Sequence, residues 1–146
     1  MFEKFKIILE QIESERNLSA VLFALLKMDD LTDRWTIVYS DQSLTEDNKK
    51  LCFDIILNKI KEILNAEELA LIARLALFTT EEHLVQSLLQ YKSNVKIQGK
   101  INGNIVHEGY IFKSDTGAIK ASGVDLLLTN ILDQGLEGTP KGDPRS

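Results

Sequence analysis

The sequence predicts an α+β domain built on a mixed sheet of about five strands with helices mainly on one face, and three observations carry that prediction. Two adjoining apolar runs, residues 18–26 and 35–39, flank an acidic connection, as the inner strands of a sheet do. Before and after them lie charged segments whose apolar residues recur at spacings of three and four. From residue 95 onward the period changes to two, on either side of Asn102-Gly103. The resulting order is helix, strand, strand, helix, strand, helix, strand, strand, with a short last helix over residues 124–132.

Phe2, Phe5, Ile8, Leu9 and Ile12 form one apolar stripe among Glu and Lys, which is an amphipathic helix. Asn17 tolerates the left-handed conformation and ends it. Residues 18–26 are rich in Leu and Ala, which favour helix, and periodicity alone does not separate a buried strand from a buried helix there. The strand reading is preferred because Trp35-Thr36-Ile37-Val38-Tyr39 is β-branched and aromatic and follows turn-forming residues, so the two make an antiparallel pair.

Ser43-Leu44-Thr45-Glu46 has the spacing of a capping box, and Cys52, Phe53, Ile56, Leu57, Ile60, Ile63 and Leu64 supply a broad stripe for the helix it opens. Asn65 is read as its C-terminal cap. A helical turn at residues 66–70 leads to a strand at 71–78. Thr79-Thr80-Glu81-Glu82, a second capping box, starts a helix that runs to about residue 92. In the hairpin that follows, a two-residue loop sets Val106, Tyr110 and Phe112 on the face of Val95 and Ile97. A three-residue loop sets Ile105 and Ile111 there instead.

Residues 1–134 are read as one domain and 135–146, which lack periodicity, as a flexible tail. With 146 residues, 44% of them hydrophobic and 27% charged, the chain has the composition of a globular protein. A net charge of −5 disfavours a sequence-independent grip on nucleic acid, and no apolar run reaches the length of a membrane span. The single cysteine and the absence of a secretory pattern point to the cytoplasm. No cofactor is expected, since the eight glycines never fall in a phosphate-cradling arrangement.

Asp29, Asp30 and Asp33 in the acidic connection are the candidate metal ligands, because hard cations need several carboxylate oxygens converging from loops. A solvated turn is the preferred account of them, as the calcium-loop pattern of Gly and Glu is missing. His83 has no second histidine near it, and His107 sits on a strand. Asp115-Thr116-Gly117-Ala118 is similar over four residues to the Asp-Thr-Gly signature of aspartic proteases, which implies a catalytic aspartate in a β-rich fold. That family places apolar strand residues before the tripeptide, whereas Lys113 and Ser114 stand here, and the tripeptide is also an ordinary turn composition.

The function expected is a non-enzymatic accessory domain, of adaptor or inhibitor type, that binds another protein. Trp35, Tyr110, Ile105 and Ile111 are its candidate contact residues, and a homodimer through the hairpin edge or a helix face is a further expectation. The competing class is a metal-dependent hydrolase or phosphotransferase using Asp29, Asp30 and Asp33.

Overall fold

Both apolar runs are strands in the computed structural model, which describes residues 1–28 and 33–116: β1 spans Ala20–Met28 and β2 spans Trp35–Asp41. Helix α1 (Phe2–Glu15) precedes them; α2 (Lys49–Ile63), the single turn α3 (Ala66–Leu69), β3 (Ile72–Leu77), α4 (His83–Leu88), β4 (Val95–Ile101) and β5 (Asn104–Ser114) follow. The sheet order is β3-β2-β1-β5-β4, antiparallel throughout except for the parallel pair β2 and β3. Met1–Asp115 form one compact unit. The expected last helix and the boundary at residue 135 lie outside the described residues.

Position in the sheet explains why residues 20–26 are strand despite their Leu and Ala. β1 has a neighbour on each side and is buried on both faces, so every residue can be apolar, and tertiary pairing overrides helix propensity. One face carries Phe23, Leu25, Ile37, Tyr39 and Phe112, against which α1 sets Phe5, Ile8 and Ile12 and α2 sets Cys52, Ile56 and Ile60. The other carries Leu22, Ala24, Leu26 and Val38, with the buried Thr36 and Ser40 beside them on β2. Toward β4 it continues through Ile97, Val106 and Ile111, and α4 packs on β4 with Val85 and Leu88 buried.

Polar contacts tie the helices to one another and to the sheet. Lys59 of α2, largely buried, reaches Glu15 of α1 at 3.0 Å and Glu62 at 3.2 Å. Lys113 of β5 pairs with Glu13 at 2.6 Å. Lys4 meets Glu68 of α3 at 2.7 Å, and this ammonium, with the Asn65 N–H, holds the Glu68 carboxyl below its ordinary range. The Glu68 contribution to stability is therefore complete above the unfolded carboxyl pKa and fades as pH falls through the lowered folded value.

Several element ends differ from the sequence expectation. Asn17 adopts φ 57° and Leu18 N–H returns to Ile12 O at 3.2 Å, closing α1 as predicted. Helix α2, however, starts at Lys49, because Ser43 is engaged by Asp41 and the reciprocal side-chain bonds join Thr45 and Asn48 instead. Asn65 caps the start of α3 in a capping box with Glu68, where a C-terminal cap of α2 was expected. No side-chain bond caps α4, which spans only His83–Leu88.

The hairpin combines both registers. Asn102 and Gly103 form the two-residue loop, at φ 50° and 81°. A bulge then intervenes: Gly99 faces Val106, but Ile97 faces Gly109 and Val95 faces Ile111. Val106 and Ile111 thus share one face, and Tyr110 and Phe112 turn to the other, where both lie against Phe2.

Gly109 is the position where that crossing is tightest. A Cβ there would stand 2.7 Å from Ile97 Cγ1 and 3.1 Å from Leu26 Cδ2. Gly109→Ala is expected to lower stability by about 1–3 kcal/mol through overpacking. Urea unfolding measures this; an unchanged midpoint would show that Ile97 yields freely.

Candidate functional site

Strand β3 owes its edge place to the chain path: α2 and α3 return the chain to β2 on the side away from β1. Among the described residues β3 has no neighbour on its outer side. Phe78 N–H donates to Tyr39 O at 3.0 Å, so the alternation of a parallel ladder turns the N–H and C=O of Leu75 and Leu77 outward. Sheet edges are commonly guarded by lysines, proline or bulges. The opposite edge, β4, has exposed Lys96 and Lys100 and a positive-φ Gly99 beside its bulge. β3 carries Arg74 and one register shift near its start, where Trp35 faces Ile72 but Thr36 faces Arg74, and Leu75–Leu77 beyond it pair regularly and carry no charge.

Beside this edge, where α2 passes over β3, runs a groove in two contiguous parts of about 500 and 510 Å³. Phe53 and Leu75 line both parts, and Leu57, Ile72 and Leu77 extend the apolar wall. Helical spacing produces this. Cys52, Ile56 and Ile60 fill the core, while Phe53 and Leu57, one position further round, remain half-buried along the strand. Three lysines, Lys49, Lys50 and Lys61, and one acidic residue, Glu46, also line the two parts, and Arg74, paired with Thr36, borders them from the other face of β3. Lys50 meets Asp54 at 3.5 Å.

A second polar cluster is closed. Asp41, 2% exposed, accepts from the Tyr39 hydroxyl at 2.6 Å and from the Ser43 N–H and hydroxyl at 2.8 Å each. Burial, reinforced by the Asp41 carboxylate, pushes the Tyr39 phenol far above its usual range, so it remains a neutral donor. Burial and the charge of Asp41 push the Cys52 thiol up to about 11. A thiol so held is a poor nucleophile. Native protein at pH 8 is expected to resist iodoacetamide and to react fully in denaturant; rapid native labelling, read by mass spectrometry, would contradict this.

The residues singled out from the sequence fall in different places. Asp33 occupies a turn at φ 53°, whereas Asp29 and Asp30 lie outside the described residues. Among the described residues no group of three or more His, Cys, Asp or Glu side chains is placed to hold a metal ion. Trp35 is 5% exposed, between the Phe2 ring at 5.3 Å and the Lys27 ammonium at 4.7 Å. Ile111 is fully buried, Tyr110 is half-buried against Phe2 and Phe112, and Ile105 is 48% exposed on the hairpin. Asp115 follows β5 with its N–H donating to Val21 O at 2.9 Å; Gly117 and Ala118 lie outside the described residues.

Sequence reasoning did not single out the β3 groove. Its signal was present in the apolar residues 71–78 with one charge and in the breadth of the α2 stripe, wider than the core needs. No helix among the described residues is long and apolar enough to cross a membrane. Comparison with protein-family models, with curated proteins and with solved structures finds no match to this chain.

Proposed function

We propose that this protein is a non-enzymatic interaction domain of the adaptor or inhibitor type, and that it engages its partner along the β3 edge and the groove under α2. The observation that carries the reading is the coincidence of two features at one place. Outward main-chain groups of Leu75 and Leu77 offer hydrogen bonds in a direction that accepts a strand. The half-buried Phe53, Leu57 and Leu75 beside them offer pockets for its side chains. Main-chain bonds supply affinity in such an arrangement and the pockets supply selectivity.

Photo-crosslinking in the native host tests this. A benzophenone amino acid is placed at Leu71, exposed at the entrance to β3, and in a second variant at Lys96, exposed on the opposite edge. Discrete adducts from position 71 and none from position 96 are the expected result. Adducts from neither position, or from both alike, would remove the β3 edge as the binding surface.

A further inference from the structure

We infer that the occupant of the β3 groove is an extended acidic segment of another protein, laid alongside β3 as a sixth strand, and not a second copy of this chain. The inference rests on the binding reading above and adds the chemistry of the ligand. Its basis is charge complementarity. The chain has a net charge of −5, yet the two parts of the groove are lined by three lysines and one acidic residue, and Arg74 adds a fourth cation on the other face of the same edge. Lys49, Lys61 and Arg74 have no ion-pair partner among the described residues, and Lys61 and Arg74 are exposed. The interior of the groove is apolar, so an added strand sets apolar side chains toward Phe53 and Leu57. By strand alternation its carboxylates then fall on the opposite face, where Arg74 stands beside Thr36, and Lys50 and Lys61 toward the two ends of α2 attract them at longer range.

The same charges disfavour the homotypic alternative. A two-fold axis through β3 pairs the strand antiparallel with its copy and lays the two α2 helices side by side in opposite directions. Lys50 of one copy then approaches Lys61 of the other, and Arg74 lies near the centre of both strands. Like charges thus meet at both ends and at the centre of that contact.

Three synthetic octapeptides test this on the full chain, followed by amide NMR shifts: alternating Val and Glu, alternating Val and Lys, and the Val-Glu peptide N-methylated at every second amide. The Glu peptide is expected to shift the amides of Ile72–Leu77 and to bind about tenfold more tightly than the Lys peptide, with an affinity that falls as salt rises. N-methylation is expected to abolish binding. The double variant Lys61→Glu, Arg74→Glu, both at exposed positions, is expected to reverse the preference between the two peptides.

Equal binding of the Glu and Lys peptides at β3 would overturn the acidic preference and leave the groove as a binding site. Undiminished binding of the N-methylated peptide would overturn strand addition alone. No shift at β3 from any peptide, with a dimeric mass by light scattering that the double variant changes, would replace the acidic segment by a second copy. If no peptide binds and the chain is monomeric, both this inference and the β3 reading fall.

Discussion

Replacing Phe23 by alanine is expected to cost about 3–5 kcal/mol. Phe23 occupies the central strand β1, is 1% exposed, and faces three other rings: Phe5 at 6.2 Å, Tyr39 at 6.3 Å and Phe112 at 5.8 Å between centroids. These rings come from α1, β2 and β5, so the void left by truncation is walled by three separate elements. None can close it without disturbing its own register or helix contact, and incomplete collapse is what drives such costs to the upper end. Phe23→Leu, which keeps most of the volume, is expected to lose far less. Chemical denaturation of both variants checks the pair; similar losses for Leu and Ala would show that ring stacking, and not the cavity, dominates.

Asp41→Ala is expected to destabilise by about 2–3 kcal/mol, for a different reason. The carboxylate accepts three hydrogen bonds at the C-terminal end of β2, and its loss strands the buried Tyr39 hydroxyl and releases the exposed Ser43 from the turn. Tyr39→Phe removes one donor and leaves the carboxylate its two bonds to Ser43, so about 1.5–3 kcal/mol is expected there. Joined in one network, the changes do not add: the double variant is expected to be more stable than the sum of the two losses implies. Additive losses in a double-mutant cycle would show that Asp41 acts on the turn at Ser43 independently of the phenol.

These two effects bear on the proposed groove through β2. Its face toward α2 holds Ile37 and Tyr39 against the helix, and its outer side holds β3 in parallel register from Thr36↔Arg74 to Tyr39↔Leu77, after a shift at Trp35↔Ile72. Loosening the Phe23 or Asp41 contacts therefore loosens the support of β3. A binding defect in either variant carries meaning only beside its stability, whereas Lys61→Glu and Arg74→Glu change charge at exposed positions and leave that support intact.

What the sequence determined was the kind and order of the elements. Period, turn chemistry and capping are local, so the stripe of α1, the type of β2, the positive-φ end at Asn17 and the Asn102-Gly103 loop were readable from a few neighbouring residues each. Where two local signals competed for one residue, tertiary structure decided. Ser43 could cap a helix or brace Asp41, and the buried carboxylate had the stronger demand, moving the start of α2 to Lys49.

Register and face assignment depended on partners distant in sequence. The bulge between Ile97 and Gly99 arises where Gly109 must pass under Ile97 and Leu26, so it was invisible to alternation counted along one strand. The candidate site is of the same kind. Its apolar residues looked like core, and its cations, spread from residue 49 to residue 74, looked like solvated charges. Only the placement of β3 at the outside of the sheet, parallel to β2 and beneath one flank of α2, brings them into a single groove beside an open edge. Sheet order is set by which long-range pairings bury the most apolar surface together, a property of the whole chain and of no segment within it.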